Sequence, residues 1–254
     1  MADSIYSTII NKKEKREKQF AILIDPDMFG NQNGKGQITK IAEQARLAGV
    51  DYFFAGGSIL TNGNIENCIK VIKENCSIPV VLFPGNILQI HNSADAILFL
   101  SLISGRNAEL LIGNHVIAAP LLKTPEYSGL EVLPTGYMLI ERGNSTTASY
   151  MSNTIPIPGE KNDVAVCTAI AGEMLGLRLI YMDGGSGALN PITETMIRKV
   201  SESISVPLIT GGGIRTPEDA LKSCKAGADV IVVGNAIEKD VSLVKSISEV
   251  VHSA

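Results

Sequence analysis

Short apolar runs alternate along this chain with longer amphipathic segments, and this order restricts the fold more than any other feature. The apolar runs are nearly continuous in hydrophobic residues, as in parallel strands that are buried on both faces. They predict eight strands, at 20–24, 52–54, 80–83, 96–100, 137–140, 179–182, 207–210 and 230–233. The amphipathic segments predict helices at 37–48, 65–74, 107–121, 164–175, 193–203, 217–226 and 236–251. A βα order of this kind predicts a parallel sheet with helices outside it.

Eight such units within 254 residues favour a closed (β/α)8 TIM barrel over an open doubly wound sheet. Barrels of this kind commonly fill about 250 residues as a single domain. No shift in composition marks a boundary inside the chain, so we expect one α/β domain over residues 1–254. Residues 124–136 and 143–159 are rich in Pro, Gly, Ser, Thr and Asn and predict loops. Long loops inside a compact domain are often functional.

Charge and hydropathy argue against several classes of function. The formal net charge is -4, whereas a protein whose main partner is nucleic acid usually carries a basic surface. No stretch approaches the roughly 20 consecutive apolar residues of a membrane span, and the N-terminal sequence lacks the features of a signal peptide. We therefore expect a cytoplasmic protein that binds no nucleic acid. The three histidines form no recognisable pattern with a serine or cysteine, which argues against a nucleophilic triad.

Glycine is in excess, at 24 of 254 residues against a usual share of about 7%. Four predicted strands end in loops of small residues, at 55–58, 181–187, 210–213 and 234–235. In a barrel these loops converge on one face, where barrel enzymes place their active sites. Glycines let backbone N–H groups approach a phosphate, and barrels commonly bind phosphate after the seventh and eighth strands. The alternative is that these glycines serve only tight turns.

Two carboxylates are expected at the same face. Asp25 follows the first strand, and Pro26 biases it towards an extended conformation. Magnesium prefers hard oxygen ligands, usually one or two carboxylates together with substrate phosphates, and Ser58 supplies a hydroxyl to complete the shell. The alternative is that Asp25 and Asp27 only cap a turn. Asp183 is the second acid, and its position suits orienting a bound hydroxyl and accepting its proton.

Six segments, taken in order, carry a specific resemblance. They are LIDPD at 23–27, AGGS at 55–58, TGYMLIE at 135–141, YMDGGSG at 181–187, TGGGIRTPEDA at 210–220 and VVGNAIE at 232–238. Together they resemble geranylgeranylglyceryl phosphate synthases, a family of prenyltransferases. Many phosphate-binding barrels share the glycine loops, whereas LIDPD with a GGS loop and an aromatic-x-acid-glycine turn is far more specific. The resemblance covers nearly the whole chain, whose length is similar to that of the branch found in some archaea and some bacteria.

The resemblance implies a (β/α)8 barrel that joins geranylgeranyl diphosphate to the 3-hydroxyl of sn-glycerol 1-phosphate, forming geranylgeranylglyceryl phosphate and diphosphate. It implies magnesium as the cofactor, held on the diphosphate by Asp25 and Ser58. It also implies a homo-oligomer, with a hexamer as the candidate assembly, and contact with a membrane that is at most transient, through the lipid substrate or product. The glycerol phosphate would be bound by Tyr181, Met182, Asp183, Gly184, Gly185, Ser186, Gly187, Gly212, Gly213, Gly234 and Asn235.

We expect Asp183 to be the base that accepts the proton of the glycerol hydroxyl. It stands where members of the family more usually carry glutamate, so a shorter side chain must reach the substrate, directly or through a water. Met28 is a second departure, at a position where many members carry lysine. The fourth strand, with Phe99, either lines an apolar groove for the prenyl tail or belongs to the ordinary barrel core.

Two other classes of function fit the same glycine loops. One is a phosphate-binding barrel of amino acid or cofactor biosynthesis, such as a sugar phosphate isomerase or an enzyme like thiamin phosphate synthase. The other is a lipid-binding or phosphate-binding barrel that has lost its chemistry. The presence of both Asp25 and Asp183 argues against the second.

Overall fold

Each predicted apolar run overlaps a strand of the structure, a computed structural model that describes residues 4–30, 33–62, 64–143 and 145–254, without the side chains of residues 29 and 30. The strands of this part of the chain are β1 (Gln19–Ile24), β2 (Tyr52–Ala55), β3 (Val80–Leu82), β4 (Ala96–Leu102), β5 (Glu131–Leu139), β6 (Leu179–Asp183), β7 (Leu208–Gly211) and β8 (Val230–Val233). All neighbouring strands pair in parallel, and β8 pairs with β1 to close the barrel. The predicted (β/α)8 barrel is therefore confirmed.

Helices surround the barrel. They are α1 (Ile5–Glu14), α2 (Gly34–Ala48), α3 (Ile65–Asn75), α4 (Asn114–Leu122), α5 (Thr147–Ser152), α6 (Asn162–Met174), α7 (Glu194–Ser201), α8 (Pro217–Ala226), α9 (Asn235–Lys239) and α10 (Leu243–His252). The predicted helix over 217–226 has the observed bounds, and Thr216 and Asp219 form a capping box at its start. Within the described residues, no helix is both long and apolar enough to cross a membrane.

The predicted loop over 124–136 is wrong in its second half, because β5 begins at Glu131. This strand pairs with β4 from Glu131 opposite Ala96 to Tyr137 opposite Leu102, and it also pairs with β6. Pro and Gly weaken a strand locally, but here pairing on both sides stabilises it. Gly136 fits because a Cβ at this position would lie 2.8 Å from the side chains of Ile103 and Ile180.

Three other segments differ from their predictions. The single helix predicted over 107–121 is a π-helix at Glu109–Gly113 that continues into α4. The helix predicted over 236–251 is divided into α9 and α10, because the Asp240 side chain accepts hydrogen bonds from the backbone N–H and the hydroxyl of Ser242 and forms a turn. The loop predicted over 143–159 contains α5, and its residue 144 lies outside the described residues.

The connection between β3 and β4 lacks an α-helix, so the βα order is wrong at this one unit. A short 3-10 helix, Ile87–Gln89, is the regular element there in the described chain. The side chains of a strand alternate between its two faces, and Ile97 and Phe99 lie on the face of β4 opposite to Leu98. With no α-helix between β3 and β4, these two residues border the cavity described below.

The apolar side chains form two separate layers. The barrel interior contains, among others, Tyr52, Leu98 and Tyr181, and a second cluster fills the space between the strands and the helices. Met182 belongs to the second cluster. The two-residue period of β6 therefore directs Tyr181 and Asp183 into the barrel and Met182 away from it.

The N-terminal helix closes the end of the barrel opposite to the glycine loops. Asp51, which precedes β2, accepts hydrogen bonds from Lys12 Nζ, from His252 Nε2 at 2.9 Å and from the backbone N–H of Phe20 at 2.8 Å. Burial alone would raise the pKa of Asp51, but these bonds from His252, Lys12 and Phe20 hold it below the ordinary value. Asp51 thus joins α1, β1 and α10 through one carboxylate.

Asp51→Asn is expected to lower the free energy of unfolding by about 2 kcal/mol at pH 7, because a buried set of charged hydrogen bonds loses the negative charge and one of the two acceptor oxygens. A carboxyl whose pKa is lower in the folded state stabilises the protein above its unfolded pKa of about 3.9 and loses this effect as the pH falls through the folded pKa. Urea denaturation from pH 7 down to pH 3 checks both points. A difference between the two proteins that does not shrink with falling pH contradicts the role of the charge, and the exposed Asp163→Asn is the control.

Candidate active site

A cavity of about 860 Å³ opens at the carboxyl ends of the strands, on the face where the glycine loops meet. Most residues predicted for the site line this cavity. They are Asp25, Ser58, Tyr181, Asp183, Gly185, Ser186, Gly187, Gly212, Gly213, Gly234 and Asn235. Met182 and Gly184 are not among its lining residues: Met182 is buried on the outer side of β6, and Gly184 lies against Ala188 and Arg142. Met182 is paired within β6, and the backbone N–H of Gly184 donates to the Gly211 carbonyl at 3.0 Å, so these two predicted site residues support the loop rather than line the cavity.

The loops after β6, β7 and β8 contact one another. A Cβ at Gly212 would lie 2.6 Å from both the Asp183 Oδ1 atom and the backbone nitrogen of Gly184, and Gly212 has a positive φ of 80°. The Ser186 hydroxyl lies 3.4 Å from Oδ1 of Asn235, which begins α9. The predicted phosphate loops therefore form one continuous wall of small residues.

Asp183 is the acid at the centre of this wall, and only 6% of its surface is exposed. The Tyr137 hydroxyl donates to its Oδ2 atom at 2.6 Å, and the backbone N–H of Gly185 donates to its Oδ1 atom at 2.7 Å. Burial raises the pKa of Asp183 above the ordinary value, and the bonds from Tyr137 and Gly185 offset part of this effect. A carboxylate of raised basicity beside a cavity is suited to accept a proton.

Three aromatic rings line the cavity next to this acid. Phe83 is stacked on Tyr181 with ring centroids 5.3 Å apart, and Tyr137 meets the Tyr181 ring edge to face at 5.5 Å. The sequence prediction included Tyr181 but missed Phe83 and Tyr137 as site residues. Tyr137 lies in the predicted strand 137–140, whose two-residue period puts Tyr137 and Leu139 on one face, but this short run does not show that the face points into the barrel.

Asp25 and Ser58 lie on the opposite side of the cavity, at the ends of β1 and β2, and both are half-buried. The Asp25 Oδ1 atom accepts a hydrogen bond from the backbone N–H of Asp27, and Oδ2 accepts none from the described residues. A Cβ at Gly57 would lie 3.5 Å from this Oδ2 atom, so the loop that carries Ser58 packs against the carboxylate. Burial raises the pKa of Asp25, and the nearby charge of Asp27 adds to this effect.

The loop that carries Ser58 is fixed by a buried glutamine that sequence reasoning missed. Gln89 accepts hydrogen bonds from the backbone N–H groups of Gly57 at 3.2 Å and Gly85 at 3.4 Å, and its amide donates to the Gly57 carbonyl at 2.7 Å. The side chain is 1% exposed. No local sequence pattern marks this role, because it arises from two loops that meet in space.

The described part of the chain contains no cluster of three or more His, Cys, Asp or Glu side chains that could hold a metal ion. The predicted metal site consists of the Asp25 carboxylate and the Ser58 hydroxyl, so it is smaller than such a cluster. Magnesium is usually bound through one or two carboxylates together with substrate phosphates and waters. The acceptor atom Oδ2 of Asp25, next to the Ser58 loop, therefore fits a magnesium ion that takes its remaining ligands from a diphosphate.

An apolar branch of the cavity extends along β4 towards α4. Leu98, Leu100 and Phe99 line it from the strand, and Ala118 lines it from the helix. The Phe99 ring packs edge to face against the His115 ring, with centroids 4.3 Å apart. The glycine loops predicted to bind phosphate thus lie at one end of the cavity, and an apolar wall lies at the other.

Comparison with known proteins places this barrel in a family. Residues 12–253 match the PcrB family. The chain belongs to the PcrB family. A geranylgeranylglyceryl phosphate synthase from Chitinophaga pinensis is 53% identical to this PcrB protein over 254 residues, covering 100% of this chain and 98% of the relative. One from Spirosoma linguale is 52% identical over 235 residues, covering 92% of both chains.

A solved structure adds a bound ligand to the comparison. The (S)-3-O-geranylgeranylglyceryl phosphate synthase from Thermoplasma acidophilum, crystallised in complex with its substrate sn-glycerol-1-phosphate, is 32% identical to this PcrB protein. Its TM-score is 0.88, and the match covers 99% of this chain and 100% of that one. The family resemblance drawn from the six motifs is therefore confirmed.

Proposed function

We propose that this protein is a geranylgeranylglyceryl phosphate synthase, a prenyltransferase that joins geranylgeranyl diphosphate to the 3-hydroxyl of sn-glycerol 1-phosphate and releases diphosphate. One observation carries the proposal. A single cavity joins the glycine loops, the acid Asp183, the carboxylate Asp25 and an apolar branch along β4. Such a cavity suits one phosphate, one proton acceptor, one metal-bound diphosphate and one lipid chain. Two relatives that carry this activity in their name are 53% and 52% identical to this chain over 254 and 235 residues, which supports the proposal.

The glycerol phosphate is assigned to the wall formed by residues 181–187, Gly212, Gly213, Gly234 and Asn235. Backbone N–H groups of glycines can approach a phosphate closely, and loops after the seventh and eighth strands are a common phosphate site in barrels. The related enzyme from Thermoplasma acidophilum has sn-glycerol-1-phosphate as its substrate, which supports the same ligand here.

Gly212→Ala is expected to weaken the binding of sn-glycerol 1-phosphate at least about tenfold, which corresponds to about 1.4 kcal/mol. The added Cβ would clash with the Asp183 carboxylate and the Gly184 backbone, and φ at this position is 80°. Gly49→Ala is the matched control, because φ is 72° there and nothing lies within 4 Å of the added Cβ. Titration calorimetry measures the affinity of each variant for sn-glycerol 1-phosphate. Equal affinities of Gly212→Ala and Gly49→Ala would show that the ligand does not bind at the Gly212 loop.

Magnesium is assigned to Asp25 and Ser58. When bound, it would neutralise charge on the diphosphate as that group leaves the allylic carbon. Asp25 offers the Oδ2 atom, Ser58 offers its hydroxyl, and Gln89 keeps the Ser58 loop against the carboxylate. The prenyl chain is assigned to the apolar branch along β4, where Phe99 stands as a candidate limit to its length.

Asp183 is assigned the role of base. The glycerol 3-hydroxyl attacks the allylic carbon, the bond from that carbon to the diphosphate oxygen breaks, and the hydroxyl proton passes to the protein. The rings of Phe83 and Tyr181 stack on each other and line the space beside Asp183.

The proposed activity is tested with radiolabelled sn-glycerol 1-phosphate, magnesium and prenyl diphosphates of different lengths, followed by organic extraction. Extractable label that requires both the diphosphate and magnesium is the expected result. No extractable label with any chain length would reject the prenyltransferase assignment. Light scattering of the purified protein tests the predicted homo-oligomer, for which a hexamer is the candidate, and cell fractionation tests the predicted cytoplasmic location and transient membrane contact.

A further inference from the structure

The tyrosine that holds Asp183 also faces the cavity. Tyr137 is at the end of β5, lines the cavity and is 9% exposed. Its hydroxyl donates to the Asp183 Oδ2 atom at 2.6 Å and accepts no hydrogen bond from the described residues. A phenol oxygen can accept one hydrogen bond while it donates another. The lone pairs of Tyr137 Oη therefore remain for a group that enters the cavity.

Asp183 itself is closely enclosed. Its Oδ1 atom accepts from the Gly185 backbone and lies against Gly212, where a Cβ would come within 2.6 Å. Its Oδ2 atom is bound by Tyr137. A substrate hydroxyl that approaches from the cavity thus meets a carboxylate with both oxygens already engaged, one of them by a group that can itself receive a proton.

We propose that Tyr137 relays the proton of the glycerol 3-hydroxyl to Asp183, an inference that rests on the proposed function. The substrate O–H proton passes to Tyr137 Oη while the Tyr137 proton passes to Asp183 Oδ2. The substrate oxygen forms its bond to the allylic carbon, and the electron pair of the broken carbon–oxygen bond leaves with diphosphate. Tyr137 ends neutral, and Asp183 ends protonated.

A relay suits the electrostatics of this site better than a phenolate base would. Burial raises the pKa of Tyr137 well above its ordinary value, and the negative charge of Asp183 raises it further. The phenol therefore stays protonated and transfers its proton only as it receives another. The relay also extends the reach of an aspartate, which is one methylene shorter than a glutamate.

Tyr137→Phe is expected to lower kcat about 100-fold while leaving the Kd for sn-glycerol 1-phosphate within about threefold, because the ring remains and only the hydroxyl that relays the proton is lost. The acid limb of the kcat profile is expected to move to higher pH, since the lost hydrogen bond had lowered the pKa of Asp183. Tyr52→Phe is the matched control: Tyr52 is buried at the far end of the barrel, and its hydroxyl bonds to Gln19 Oε1 at 2.8 Å.

A second variant separates a relay from a purely structural bond. In the double variant Tyr137→Phe with Asp183→Glu, the longer carboxylate reaches the substrate directly, so kcat is expected to recover at least tenfold relative to Tyr137→Phe. A kcat of Tyr137→Phe within threefold of the unmodified enzyme, or a double variant no faster than Tyr137→Phe, overturns the relay while the synthase activity stands. An unmodified enzyme that transfers no prenyl group overturns the proposed function and the relay together.

Discussion

Asp183→Asn is expected to lower kcat about 1000-fold while the Kd for sn-glycerol 1-phosphate stays within about threefold. The substitution removes the final acceptor of the hydroxyl proton, whether that proton arrives directly or through Tyr137, and general base catalysis commonly contributes 100-fold to 10,000-fold. The phosphate is assigned to backbone groups of the glycine loops, which the substitution does not alter. Steady-state kinetics together with titration calorimetry measures the two quantities separately.

The amide can keep the local structure of this site. The Asn oxygen can still accept from the Gly185 backbone, and the amide NH2 can donate to the Tyr137 hydroxyl once that hydroxyl rotates. The pKa of Asp183 is raised by burial, so the folded state is penalised for carrying this charge at neutral pH. The neutral variant is therefore expected to have a thermal midpoint that is not lower than that of the unmodified protein.

The raised pKa of Asp183 also sets the direction in which kcat changes with pH. Only the ionised carboxylate accepts the proton, so kcat of the unmodified enzyme is expected to fall as the pH drops through the raised pKa of Asp183, above the ordinary aspartate range. Asp95→Asn is the control, because Asp95 directly precedes β4 and pairs with Lys73 at 2.7 Å. Turnover of Asp183→Asn close to that of this control would remove Asp183 as the base.

The fold was predictable from local signals, and the strand whose beginning was missed shows their limit. Continuous apolar runs and the glycine loops that follow them are short patterns, so β6, β7 and β8 were placed within a residue of their observed bounds. The beginning of β5 was missed because Thr135, Gly136 and their neighbours favour a loop locally. Their strand conformation comes from pairing with β4 and β6, which are distant in the sequence.

The candidate site likewise contains some residues that local sequence patterns predict and others that they do not. Asp25, Asp183 and the glycine turns follow directly after apolar runs, and the structure brings these residues to one cavity. Tyr137 was missed although its strand was predicted, because the short apolar run 137–140 does not show which face points into the barrel. Gln89 was missed because its bonds join two loops whose contact no local pattern encodes. The direction of the Met182 side chain, away from the barrel interior, was predictable from the alternation of side chains along β6. Residues 181 and 183 lie on one face of a strand and residue 182 lies on the other.

Asp25→Ala is expected to reduce magnesium-dependent turnover at least about 1000-fold at saturating magnesium. A metal ion that stabilises charge on a leaving group contributes several kcal/mol, and about 4 kcal/mol corresponds to about 1000-fold. Ser58→Ala is expected to have a smaller effect, since a neutral hydroxyl is a weaker ligand than a carboxylate and a water can replace it.

A binding measurement separates loss of the metal site from general damage. In the unmodified protein, magnesium is expected to strengthen the binding of geranylgeranyl diphosphate, whereas in Asp25→Ala this strengthening is lost and the Kd for sn-glycerol 1-phosphate is unchanged. Asp163→Ala, an exposed acid in the first turn of α6, is the control and keeps both properties. If Asp25→Ala retains magnesium-dependent binding and a near-normal rate, the metal is held elsewhere. The Asp25 carboxylate would then serve the turn that its Oδ1 atom forms with the backbone N–H of Asp27 rather than the diphosphate.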